Sequence, residues 1–211
     1  MVAKADLFRN VWNSDSRSNL RQMLKLVSIS LDELGWKWTL AYGTLMGYLR
    51  HGQVIPWDDD LDLIVWEHND LNLLKSKMKL KGFLHLEADG FIQFNHPNFS
   101  SRTEPHLWPF VDLFFSLKNE DAYFLEHKSS CLSSYHKDLI FPLRQVEFEG
   151  SLCYVPNQPF DWMNVYYGDS WKHIAESRMW EHQLRRKSPV CVKQKVVDIC
   201  RFYNYPMKVI E

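Results

Sequence analysis

Asp60 and Asp62 alternate with Leu61, Leu63, Ile64 and Val65 in the run Pro56-Trp57-Asp58-Asp59-Asp60-Leu61-Asp62-Leu63. The alternation predicts the start of a half-buried strand, on which residues two apart share a face. Two carboxylates on one face repel each other unless a cation or a proton sits between them. The pair is therefore a candidate divalent-metal site. A third acid, Asp112, stands among Phe110, Val111, Leu113, Phe114 and Phe115, where an unpartnered charge costs several kcal/mol. A metal shared by Asp60, Asp62 and Asp112 satisfies all three. A solvated acidic turn would explain an isolated Asp-x-Asp, but not an acid embedded in a second apolar strand. Oxygen-only ligands with open positions favour Mg²⁺ or Mn²⁺. Such an ion stabilises the charge on phosphate oxygens during in-line displacement. Asp112 is suited either to ligating a second ion or to accepting the proton of an attacking hydroxyl, and the sequence leaves both open.

Calcium is the competitor for an Asp-rich run. Asp58, Asp60 and Asp62 match the first three ligand positions of an EF-hand loop. The match then fails, because Leu63 takes the glycine position and Asn69 the position of the bidentate glutamate. The complementary half of the site lies upstream, at Gly43-Thr44. A glycine where a strand turns into a helix lets backbone approach a phosphate, and the helix N-terminus offers free N–H groups. Thr44 adds a hydroxyl donor. Arg50 and His51, at the far end of the same short helix, are candidates to neutralise substrate phosphate. Their alternative role is the ordinary one of cations at a helix C-terminus.

The elements that must position these residues follow from periodicity. Leu20, Met23, Leu24, Val27, Leu31 and Leu34 fall on one helical face over residues 14 to 34, with Ser14 or Asp15 as cap and Gly35 as the exit residue. A strand is expected from Trp36 to Tyr42, a short helix from there to His51-Gly52, and the acidic strand over 60 to 66. A helix over 69 to 81 precedes a hairpin of residues 83 to 87 and 91 to 95, turning at Asp89-Gly90. Residues 110 to 116 form an apolar strand, and a second hairpin over 145 to 155 turns at Glu149-Gly150. From 172 onward the charge pattern predicts a helical tail. No repeat or linker divides the chain, so residues 1 to 211 are expected to form one α/β domain.

Composition narrows the functions. Hydrophobic residues make up 45% and aromatics 15% of the 211 residues, which excludes a disordered chain. A net charge of −1 gives no general attraction for nucleic acid or anionic membrane, so a small nucleotide or a sugar is the expected substrate. Cys131, Cys153, Cys191 and Cys200 form no Cys-x-x-Cys pair and are expected to be idle thiols in a reducing compartment. Lys4, Asp6 and Arg9 interrupt any apolar leader, and nothing approaches the roughly 20 apolar residues that span a bilayer. The expectation is a soluble, cytoplasmic protein. Among the nine tryptophans, Trp57, Trp66, Trp108, Trp162 and Trp171 are candidate platforms for a sugar or a quaternary amine, with core packing as the plainer role of each.

The run Gly43-Thr44-Leu45-Met46-Gly47-Tyr48-Leu49-Arg50-His51-Gly52, taken with Ile55-Pro56-Trp57-Asp58-Asp59-Asp60-Leu61-Asp62-Leu63, resembles the signature of the LicD family. That family includes bacterial phosphorylcholine transferases and, among its animal relatives, fukutin and fukutin-related protein. Asp112, Val155-Pro156 and Tyr167-Gly168-Asp169-Ser170-Trp171 add looser likenesses. The resemblance implies a nucleotidyltransferase fold, a mixed sheet flanked by helices with the metal acids on neighbouring strands. It also implies transfer of a phospho-alcohol from a CDP-activated donor to a sugar or glycan hydroxyl, releasing CMP. On that pattern Gly43 and Thr44 match the phosphate turn, Asp60 and Asp62 the metal pair, and Asp112 the third carboxylate, with Asp58 an outer member of the cluster. Two alternatives use the same residues: transfer of the nucleotide itself, and a degenerate fold that binds without turnover. The latter predicts loss of a metal acid, and all three acids are present.

Overall fold

Helix α1 runs over Ser14–Glu33 and buries Leu20, Met23, Leu24, Val27 and Leu31, the face its periodicity predicts. Its cap is Asn13, one residue earlier than expected. The Asn13 side chain accepts from the Ser16 N–H, and Ser16 Oγ accepts in return from the Asn13 N–H, which closes a capping box. In this computed structural model, the described residues are 7–88, 90–100, 107–125, 133–177, 180–181, 186–187 and 191–208. Asp89 and Cys131 lie outside them.

Strand β1 (Lys37–Leu40) stops two residues short of the expected end. Tyr42 adopts a φ of +41°, a left-handed conformation that swings the chain directly into helix α2 (Tyr42–His51). Gly43 and Thr44 therefore sit inside the first helical turn and not before it. Gly52, at φ +69°, ends the helix as a glycine in the left-handed region does. Strand β2 (Asp62–Glu67) follows, then helix α3 (Leu71–Leu80), strands β3 (Leu84–Ala88) and β4 (Phe91–Asn95), and strand β5 (Phe110–Lys118).

These strands form one mixed sheet in the order β1-β2-β5-β4-β3. Strands β2 and β5 are parallel, and the other neighbours in that order are antiparallel. The sheet continues past β5 through β6 (Ala122–Leu125) and β7 (Ser133–His136). A one-turn helix α4 (Lys137–Ile140) leads to the hairpin of β8 (Arg144–Phe148) and β9 (Ser151–Val155), and helix α5 (Pro159–Tyr167) follows it. The expected hairpins and the mixed sheet flanked by helices are thus present. Both strands that carry the candidate acids lie in the middle of the sheet, with Leu63, Ile64, Val65, Val111 and Leu113 fully buried around them.

The C-terminal part differs from expectation. After a 3-10 turn at Asp169–Lys172 come strands β10 (Ile174–Glu176), β11 (Trp180–Glu181), β12 (Arg186–Lys187) and β13 (Lys193–Lys195). Of the described residues there, only Val196–Tyr203 (α6) form an α-helix. Strands β10 and β13 pair antiparallel, which sets Glu176 opposite Lys193 with an ion pair of 2.6 Å. Charges that read as a solvated helix are cross-strand partners instead. Among the described residues no helix is long and apolar enough to cross a membrane.

Candidate active site

The sheet register sets the site. Asp62 on β2 stands directly opposite Asp112 on the parallel strand β5, and Asp112 stands opposite Gln93 on β4. Directly opposed residues share a face, so one transverse row carries Asp62, Asp112 and Gln93. The backbone of the row is fixed on every side. The Asp62 N–H donates to Thr44 Oγ1 at 2.8 Å, its carbonyl accepts from the Ala41 N–H at 3.1 Å, and the Asp112 N–H donates to the Leu61 carbonyl at 2.9 Å. Thr44 was expected as a hydroxyl donor. Its oxygen accepts from the acidic strand, and so ties the first turn of α2 to Asp62.

Burial pushes the Asp62 carboxyl well above the usual carboxylate range, and the charges of Asp60, Asp112 and Asp58 push it further. Three acids acting on a buried fourth are what a divalent cation relieves. The donor set is all oxygen, which fits Mg²⁺ or Mn²⁺ completed by water and phosphate. Among the described residues no three His, Cys, Asp or Glu side chains are already gathered as a metal cage. The protein contributes a facing pair with two further acids in electrostatic reach, an open arrangement and not a closed one. Asp60 is half-exposed just before β2, whereas Asp59 is wholly buried and its carbonyl accepts from Trp108 Nε1 at 2.6 Å.

Gly43 is in close contact with the Asp58 side chain. A Cβ there would collide with Asp58 Oδ2, so only glycine lets a carboxylate rest against the first turn of α2, the end that favours negative charge. Beside it opens a cleft of about 270 Å³ whose walls include Gly43, Arg50, Asp58, Tyr167, Ser170 and Trp171. Arg50 is buried, with Nη2 donating to the carbonyls of Trp171 and, at 2.9 Å, Ile174. Its Nε has no hydrogen-bond partner among the described residues. Burial lowers its pKa to about 10, so it stays charged at neutral pH.

His51 does not join this group. Its Nδ1 donates to the Pro206 carbonyl at 2.8 Å, and its ring packs edge-on against Trp57. Burial, aided by Arg50, pushes its pKa down to about 4, so it is neutral at pH 7 and offers no charge to a phosphate. Of the five candidate tryptophan platforms, Trp57 and Trp171 line the cleft. Trp66 and Trp162 are core residues, and Trp108 stacks on Trp12 at 5.0 Å.

Sequence reasoning passed over Gln93, and did not assign Tyr167 and Ser170 to the cleft they line. Gln93 left a signal, a single amide inside the apolar run Phe91-Ile92-Gln93-Phe94. Tyr167 and Ser170 stood within the looser likeness Tyr167-Gly168-Asp169-Ser170-Trp171, but their place beside α2 was not readable, because that segment reaches the cleft only through tertiary packing.

Gly43 in the first turn of α2, tied through Thr44 to a pair of acids on adjacent parallel strands, is the arrangement expected of a nucleotidyltransferase-type domain. Residues 35–158 match the family described as LicD/FKTN/FKRP, nucleotidyltransferase domain, and the chain belongs to it. Gly43, Thr44, Arg50, His51, Asp60, Asp62 and Asp112 all fall within that match. The chain is 26% identical over 160 residues to human ribitol 5-phosphate transferase FKRP, covering 71% of this chain and 31% of that protein. It is 25% identical over 158 residues to the mouse protein of that name, with the same coverage. With human ribitol-5-phosphate transferase FKTN it shares 25% identity over 179 residues, which cover 78% of this chain and 36% of the relative. The chain thus spans about a third of the length of the relatives it matches.

Proposed function

We propose that this protein is a metal-dependent phosphotransferase that moves a phospho-alcohol group from a CDP-activated donor to a sugar or glycan hydroxyl. The observation that carries the reading is the register of Asp62 opposite Asp112, with the glycine turn tied to the same strand through Thr44 and the Asp62 N–H. Phosphate turn and acids are thereby one rigid unit, as positioning catalysis requires. The names of the relatives, both ribitol-phosphate transferases, support a phospho-alcohol as the group moved.

In this reaction the acceptor oxygen bonds to the phosphorus next to the alcohol. The bond from that phosphorus to the bridging oxygen breaks, and CMP leaves with the electron pair. A Mg²⁺ or Mn²⁺ ion, when bound by Asp60, Asp62 and Asp112, supplies the positive charge that this transfer needs on the phosphate oxygens. The chain supplies the rest. Gly43 and the first turn of α2 receive a phosphate, displacing the Asp58 carboxylate from its place there. Arg50 keeps its charge beside the cleft. A carboxylate of the cluster takes the proton of the attacking hydroxyl.

The test is incubation with Mg²⁺ and a panel of CDP-alcohols, with and without glycan acceptors, following CMP. Release of CMP is expected with at least one donor, and Asp60→Asn and Asp62→Asn should each lower it at least about a hundredfold, the scale of losing an electrostatic stabiliser of the transition state. Activity retained in both variants would sink the metal assignment. Nucleotide-labelled acceptor without CMP would replace the reading by nucleotidyl transfer, and binding of nucleotide without turnover by a degenerate site.

A further inference from the structure

We infer that Gln93 is a positioning residue that orients Asp112 toward the divalent cation; this rests on the metal-dependent reading above. Strand β4 is buried along its whole length, and Phe91, Ile92 and Phe94 fill it with apolar side chains. A primary amide in such a strand costs stability unless it is hydrogen-bonded. Gln93 is 8% exposed, and its Nε2 donates to Asp112 Oδ1 at 3.0 Å.

Position makes the bond more than a satisfied amide. Gln93 is the antiparallel cross-strand partner of Asp112, and side chains so opposed lie about 5 Å apart at Cβ. On its other flank Asp112 faces Asp62. Two facing carboxylates repel, and repulsion alone would turn Asp112 away from the position where both could hold one ion. A neutral donor on the far side fixes Oδ1 without adding charge. A lysine or arginine there would form an ion pair with Asp112 and compete with the metal; a leucine would remove the bond that Oδ1 accepts. Glutamine meets both requirements. Groups that hydrogen-bond to metal ligands in this way commonly carry a factor of about 10–100 in metal affinity.

The experiment is Mn²⁺ titration of the full chain, read by loss of the free-ion paramagnetic resonance signal, in wild type, Gln93→Leu, Asp112→Asn and the double variant. Gln93→Leu should weaken Mn²⁺ binding by about 10- to 100-fold in the wild-type background, and by less than about 3-fold once Asp112 is asparagine. If Gln93→Leu does not fold, Gln93→Met, of glutamine's length and without the donor, carries the same comparison. Binding within about 3-fold of wild type, or an equal loss in both backgrounds, would overturn the inference, the second outcome marking a merely structural residue. Asp60→Asn and Asp62→Asn separate the two levels. If they lose Mn²⁺ while Gln93→Leu keeps it, only the role of Gln93 falls. If they bind Mn²⁺ as wild type does, or wild type binds none, the metal-dependent reading falls and the inference falls with it.

Discussion

His51 makes the consequence of burial measurable at a single residue. Its ordinary pKa is 6.5, and the folded protein pushes it down to about 4. Between those values the unfolded chain binds the proton and the folded one does not, so stability rises with pH through the window. The contribution is complete above 6.5 and lost as pH falls toward 4, on the order of 3 kcal/mol. Urea denaturation from pH 7 down to pH 4 should show a steeper loss for wild type than for His51→Gln, and parallel curves would contradict the burial of a neutral imidazole. The sequence offered His51 two roles, a phosphate partner or a helix-end cation, because histidine and arginine end the helix together. It could not show that Pro206, far along the chain, supplies the carbonyl that claims the ring. That Asp62 and Asp112 lie on buried strands was legible for the opposite reason, whereas Asp60 falls just before β2. A charge in an apolar strand is anomalous wherever the strand is placed, whereas the role of a residue at a helix end depends on what packs there.

Elements are held to the site by one buried carboxylate. Glu149, in the β8–β9 turn at φ +49°, is buried, and accepts from Arg17 at 2.8 Å and Arg21 at 2.8 Å on α1. It also accepts from the Val54 N–H at 3.0 Å, in the loop that runs from α2 to the acids. Burial raises its pKa, but the Arg17, Val54 and Arg21 bonds outweigh this and leave it below the usual glutamate value. Glu149→Gln should destabilise by about 1–3 kcal/mol, with the difference vanishing as pH falls below the range in which the wild-type carboxylate is charged. A thermal melt series across pH measures both, and a neutral substitution at pH 7 would show that α1, hairpin and loop are not coupled through this residue. The hairpin and α1 were both readable, since each has its own period. Their connection was not, because nothing local in Glu149-Gly150 distinguishes a buried acid from a solvated turn. The C-terminal strands escaped for a related reason: Lys193 and Glu176 are paired across sequence distance, and the pattern of each alone is that of a polar helix.

Across the whole molecule, a single row of the sheet runs from Asp62 through Asp112 to Gln93 and on to Leu86 at the edge strand, and the first turn of α2 is bonded to one end of it through Thr44. Such a layout keeps acids, turn and cleft in fixed relation while segments outside the matched residues 35–158, including Tyr167 to Ser177, close one side of the cleft. The acids' strands and one wall of the cleft therefore lie in the matched part, and the opposite wall is supplied by the segment after it. The most direct test of phospho-alcohol transfer is a single turnover with a CDP-alcohol radiolabelled only at the phosphorus next to the alcohol, in Mg²⁺ and a glycan acceptor. The label should pass to the acceptor together with the alcohol, leave unlabelled CMP behind, and stay in the donor when chelator removes the metal or Asp62→Asn replaces wild type. Label retained in a cytidine-containing product, or transfer that survives both chelator and Asp62→Asn, would contradict the account.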